Sequence, residues 1–178
     1  KMQGPYDFLA PPHVTFRNPD YLSSNICGSC HQKTFKEWKA TQVEETCQDC
    51  HMPRKKGRLT QKAGFNLLHK KRWVGDHRFL HGEIKENDVV MESGWEENFF
   101  IISLKNQTIP HFVPTADNGD PRLYLYIKFF NEAGEEVDKA KEIIAPQQET
   151  ALPYNKKIQY RYRLFDKILK AEVELKYQ

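Results

Sequence analysis

The rhythm of apolar and polar positions changes near residue 84. Before it, residues 1–26 show neither a period of 2 nor one of 3.6, and Pro5, Pro11, Pro12 and Pro19 interrupt the backbone. Such a stretch predicts an extended lead-in, here ending at Asn25. Residues 31–40 predict a helix, with Phe35 and Trp38 three apart on one side. Residues 52–75 are basic, interrupted by glycine and poorly periodic, which predicts irregular structure. Beyond Gly82 the period becomes 2. Ile158, Tyr160, Tyr162 and Leu164 alternate with Gln159, Arg161 and Arg163. Ala171, Val173, Leu175 and Tyr177 alternate with Glu172, Glu174 and Lys176. These two runs flank a short connection and predict an antiparallel hairpin with one face buried, setting Arg161 and Arg163 opposite Glu172 and Glu174. Leu123 to Phe130 and Phe99 to Leu104 are apolar on both faces, as central strands are. Asn131-Glu132-Ala133-Gly134 reads as a turn. The expected class is therefore α+β or irregular. A small, mostly irregular-helical domain (1–83) precedes an immunoglobulin-like antiparallel β-sandwich (84–178) of about six strands.

Composition sharpens this picture. The chain has 178 residues, enough for one ordinary domain or two small ones. Its hydrophobic fraction of 39% and mean hydropathy of −0.76 are low for a chain that must bury a core unaided. Lys and Arg number 27 against 24 Asp and Glu, which excludes both an acidic disordered tail and a polybasic nucleic-acid arm. Apolar runs reach about five residues, far short of the roughly 20 a bilayer-spanning helix needs. The sequence begins at Lys1 without a signal peptide, so a processed product or a piece of something longer is expected.

All four cysteines fall in two Cys-x-x-Cys pairs: Cys27 with Cys30, and Cys47 with Cys50. Three chemistries compete. Sixteen residues separate Cys30 from Cys47, which fits a four-thiolate zinc site. Cys27-Gly28-Ser29-Cys30 also has the spacing of a redox dithiol. The third is covalent haem c, attached through Cys-x-x-Cys-His. The residue after each pair decides between them: His31 follows the first and His51 the second. Histidine is 7 of 178 residues, so indifferent positions would both be His about 0.15% of the time. Neither zinc nor a dithiol asks for that histidine. Haem c does, because two thioethers on one porphyrin edge set the next side chain under the iron. Two covalent haems are expected. Their four propionates would move the formal charge from +3 to −1 and could pair with Arg54-Lys55-Lys56-Gly57-Arg58 or Lys70-Lys71-Arg72.

Two irons also need distal ligands. His13, His69, His77, His81 and His111 remain, with Met2, Met52 and Met91. Met52 adjoins His51 and is poorly placed for the opposite face of the same haem. The excess of His over Met favours bis-histidine ligation and low potential. His77 and His81 are spaced i, i+4, which shares one helix face. His13 follows the stiff Pro11-Pro12, His111 lies between Pro110 and Pro114, and His69 sits in an amphipathic surface run. The order of preference is His77, His13, His81, His111, His69.

Gly4-Pro5-Tyr6, His13, the first motif, Trp38, Thr46 before the second motif, Met52-Pro53 and His77-Arg78-Phe79 together resemble the haem region of bacterial and archaeal multihaem c-type cytochromes. The second half continues the likeness. Asn106 and His111-Phe112-Val113-Pro114-Thr115 resemble the family's H-x-x-P-T turn, Pro121 to Leu125 the strand after it, and Glu149-Thr150 with Pro153 the approach to two final strands. The resemblance supports His13 and His77 as iron ligands. Relatives often carry His where Gln42 stands, and they usually have further haem motifs before this region. Electron transfer is the leading expectation, with redox partner proteins and further cytochrome subunits or self-assembly; the basic runs carry no nucleic-acid motif and the total charge is small, so no nucleic acid is expected. The haem chemistry implies a periplasmic or extracellular site, since haem is attached after export. The alternative is a haem enzyme with one open iron position that reduces a small oxyanion or peroxide.

Overall fold

The computed structural model describes residues 2–6, 13–58, 64–76, 84–164 and 168–178. Its contacts divide the chain into two compact units, Lys1–Cys30 with Glu44–Glu83, and His31–Val43 with Ile84–Gln178. Among the described residues the helices are α1 (Asn25–Gly28), α2 (Gln32–Thr41) and α3 (Cys47–His51). Helices α1 and α3 lie in the first unit and α2 in the second.

In the first unit, β1 (Met2–Gly4) pairs in parallel with β2 (Thr15–Arg17). A 3₁₀ turn, Pro19–Leu22, follows; the Asn18 side chain starts it by accepting the Asp20 N–H at 2.9 Å. β3 (Arg54–Gly57) pairs antiparallel with β4 (Arg72–Gly75), so the segment expected to be irregular contains a ladder of two four-residue strands. Arg-Lys-Lys-Gly carries no apolar alternation, so the periodicity could not show it. The pair is held by backbone bonds and by cations on rings: Lys56 Nζ lies 5.5 Å from the Trp73 centroid, and Arg72 lies 5.3 Å from that of Tyr6. Lys55 Nζ meets the buried Asp76 carboxylate at 3.0 Å. Among the described residues of this unit, only Gly4, Ser24 and Asp76 are buried, and none is hydrophobic.

The second unit is a β-sandwich. β5 (Val89–Glu96), β6 (Phe99–Asn106) and β9 (Lys157–Arg163) form one antiparallel sheet in the order β5-β6-β9. β7 (Leu123–Phe130), β8 (Glu136–Ile144) and β10 (Lys170–Tyr177) form the other, in the order β10-β7-β8. The two apolar segments, β6 and β7, are the central strands, as their patterns require. Between the sheets Ile102, Leu104, Leu125, Ile127, Phe129, Ile144 and Leu152 are all but fully buried. Each such side chain contributes about 1.5–3 kcal/mol. The Phe100 and Phe129 rings meet edge-on across the sheets at 5.6 Å.

One expectation is overturned. β9 and β10 do not form a hairpin: β9 pairs with β6 and β10 with β7. Each strand does alternate, half-buried against exposed. Alternation reports which face is buried, and here both faces look onto one core from opposite sheets. The expected cross-strand pairs are therefore absent. Arg161 lies over the Phe99 ring at 4.7 Å, while Glu172 and Glu174 pair along their own strand with Lys170 and Lys176. The 131–134 turn stands as read: Asn131 Oδ1 accepts the N–H groups of Ala133 and Glu135, and Gly134 takes φ +78°.

At the end of β6 the side chain of Asn106 is wholly buried. Its Nδ2 donates to the carbonyls of His111 (2.7 Å), Ile109 (2.9 Å) and Leu152 (3.4 Å), and its Oδ1 accepts the Ile109 N–H at 3.2 Å. One amide thus satisfies backbone groups that the following turn would otherwise bury unpaired.

Candidate functional site

The second cysteine pair is built on α3, a helix of one turn. So short a helix depends on its caps. Thr46 Oγ1 accepts the Asp49 N–H at 3.3 Å, and Asp49 Oδ2 accepts the Thr46 N–H at 2.9 Å, a reciprocal box. The Thr46 hydroxyl and backbone hold the Asp49 carboxyl below its ordinary range. His51 closes the helix and is exposed.

The first pair lies on α1 and its exit turn, where the N–H of Cys30 reaches the carbonyl of Cys27. Two bonds clasp this segment to α3. The buried Ser24 Oγ accepts the Cys47 N–H at 3.0 Å, and Gln48 Nε2 donates to the Ser23 carbonyl at 2.5 Å. The clasp brings the first thiols of both pairs together. Burial pushes the Cys27 thiol up to about 11, and the Cys47 thiol beside it adds to the rise. Burial, then the charges of Asp49 and Glu45, push the Cys50 thiol up as well. A nucleophilic dithiol needs the opposite shift. All four thiols are free, and no three His, Cys, Asp or Glu side chains among the described residues converge as a metal-binding group. Zinc would require that convergence.

His31 stands at the N-cap of α2, where its side chain caps nothing. The cap comes instead from a distant loop. Asp117 accepts the N–H of Lys33 (2.7 Å), the N–H of Thr34 (3.4 Å) and the hydroxyl of Thr34 (3.0 Å). Its Oδ2 lies 3.7 Å from His31 Nδ1. Burial raises the Asp117 carboxyl, but the two N–H groups, the Thr34 hydroxyl and His31 outweigh it and hold the carboxyl below its ordinary value. The H-x-x-P-T turn completes the grip on α2. Glu37 Oε2 accepts the Phe112 N–H at 3.2 Å and the Thr115 hydroxyl at 2.8 Å, and the Thr34 and Thr115 hydroxyls bond at 3.0 Å.

No family model matches the sequence, and no curated protein does. A solved structure does match: the penta-haem cytochrome c552 from Thermochromatium tepidum, at a TM-score of 0.57 and 19% identity. The chain has that cytochrome's fold. The match covers 92% of this chain and 50% of the other, so the chain spans about half the length of the cytochrome it matches.

The cytochrome-like fold places the remaining expected residues unevenly. His13 is exposed ahead of β2. His69 follows the 3₁₀ turn Phe65–Leu68 and is half-buried. His111 is half-buried, with its Nδ1 2.8 Å from the Phe112 carbonyl. His77 and His81 lie outside the described residues. Met52 caps α3 at its C-terminal end and packs on Gly75, where an added Cβ would meet its Cε at 3.1 Å. Phe35 and Trp38 stack obliquely on α2, their ring centroids 5.6 Å apart. Sequence reasoning missed Ser24, Gln48, Glu37 and Asp117. The Thr46-x-x-Asp49 box was open to it; Asp117, more than 80 residues from its partners, offered no local pattern.

Proposed function

We propose that this chain is a dihaem c-type electron-transfer module. Cys27 and Cys30 would attach one haem and Cys47 and Cys50 the other, with His31 and His51 as proximal iron ligands. His77 and His13 lead as distal ligands, with His81 next. The observation that carries this reading is the clasp. The two Cys-x-x-Cys pairs are fixed side by side in a unit where no described hydrophobic side chain is buried. Porphyrin faces would supply apolar surface for that unit to pack against. Arg58 fits the same picture: its buried Nε has no hydrogen-bond partner among the described residues, and a propionate would suit it. Haem supplies one-electron chemistry; the chain's residues hold it, orient its ligands and exclude water. The raised thiols and the lack of convergent donors weigh against the dithiol and zinc alternatives.

The module belongs to a longer cytochrome or a larger cytochrome assembly, exported to the periplasm or beyond, with redox proteins as partners. The length of the penta-haem relative supports that placement, as do histidines in excess of what two irons require. The test is acid–acetone extraction together with intact mass. Colour staying with the protein and a mass increment of two haems are expected. Haem passing into the organic phase, or zinc without iron, overturns the reading.

A further inference from the structure

The cap on α2 has a feature that helix stability alone does not ask for. Any Ser, Thr or Asp at position 31 would cap this helix locally. Position 31 is instead a histidine that caps nothing, and a carboxylate from another part of the chain takes over. That carboxylate has about 10% of its side chain exposed and is fixed by two N–H groups and a hydroxyl. It lies on the Nδ1 side of the imidazole at 3.7 Å, about 1 Å longer than a direct charge-assisted bond. A carboxylate there favours the tautomer with the proton on Nδ1 and leaves Nε2 as the ligating atom. The loop carrying Asp117 is held in turn: Thr115 bonds both Thr34 and Glu37, and Asn106 fixes the preceding turn.

We propose that Asp117 is a positioning residue for the iron ligand His31, orienting its ring and lowering the potential of the haem it binds. The proposal rests on the dihaem reading above. A fixed negative charge behind a ligating imidazole raises its basicity and favours the ferric state. The haem ligated by His31 receives it.

The experiment compares wild type, Asp117→Asn and Thr34→Val as holoproteins. Midpoint potentials are followed optically, ferric low-spin signals by electron paramagnetic resonance, and thermal unfolding by circular dichroism. The asparagine keeps an acceptor for the Lys33 N–H but loses the charge. It should move one midpoint positive, alter one ferric signal and leave the other haem unchanged. Thr34→Val weakens the cap but keeps the charge, and should lower stability with both midpoints unmoved. A folded Asp117→Asn variant with both midpoints and both signals of wild type overturns the proposal and reduces Asp117 to a cap. Equal midpoint shifts in both variants overturn it too. If Asp117→Asn does not fold, wild type decides. In the reduced state the His31 Nδ1–H should exchange with solvent more slowly than the imidazole N–H of a solvent-exposed haem peptide, and equal exchange overturns the proposal. A wild type without covalent haem instead defeats the dihaem reading, which is a separate outcome.

Discussion

Asn106→Ala tests how the sandwich holds α2. The substitution removes three hydrogen bonds of 3.2 Å or shorter and a weaker fourth from a side chain with no exposed surface. Each bond nets about 1 kcal/mol, and the carbonyls of His111 and Ile109 lose their donor without gaining water, so the loss should be about 3–4 kcal/mol. For a chain of this size that lowers the melting temperature by about 10 °C. The assay is thermal unfolding of the holoprotein, followed by far-ultraviolet circular dichroism. A second readout follows from the architecture. Asn106 fixes the turn leading to Thr115 and Asp117, so amide exchange at Lys33 and Thr34 should quicken in the variant. Asn106→Asp keeps an acceptor for Ile109 N–H but has no N–H for the carbonyls, and should lose at least as much. An alanine variant within about 0.5 kcal/mol of wild type, the usual range for a surface change, would refute the assignment of Asn106 as the anchor of this turn.

Three further outcomes are expected. His77→Ala should leave both haems attached but open one iron, seen as high-spin absorption and a carbon monoxide shift absent from the reduced wild type; an unchanged low-spin spectrum moves the ligand to His81 or His111. Burial, then the Glu142 charge, raises the Tyr162 hydroxyl, so the folded state holds a proton that the unfolded chain loses near pH 10. Stability should therefore fall as pH rises past 10, and Tyr162→Phe should flatten that fall; identical alkaline melts in the two proteins would contradict the linkage. Expressed alone, residues 84–178 should be colourless and give a β-type spectrum, and an unfolded fragment would mean that the sandwich needs His31–Val43 or haem to form.

Much of this was legible because single positions carried it. His31 and His51, one residue after each cysteine pair, carry the haem proposal. β6 and β7 announced central strands because both of their faces are apolar. What stayed hidden depends on long-range pairing. Ile158 to Leu164 and Ala171 to Tyr177 showed their buried faces but not their partners, since two strands on opposite walls of one core alternate just as a hairpin does. β3 and β4 were illegible because basic residues stacked on rings, Lys56 on Trp73 and Arg72 on Tyr6, leave no hydrophobic period. The grip of Asp117 on α2 joins loop and helix across more than 80 residues, and nothing local to either segment encodes it.

The separation of β9 and β10 into different sheets bears on the order in which the molecule can be assembled. Every residue of β10 pairs with a residue of β7 some 40 to 54 positions earlier, from Lys170 with Phe130 to Tyr177 with Leu123. Sheet closure is thus non-local, a topology that folds slowly. A chain delivered from its N-terminus presents both cysteine pairs long before β10 arrives to cover its side of β7. Throughout that interval both cysteine segments are already in place along the chain, while the sheet of β10, β7 and β8 is still incomplete. Under the dihaem proposal, sequence order would let cofactor loading precede sheet closure.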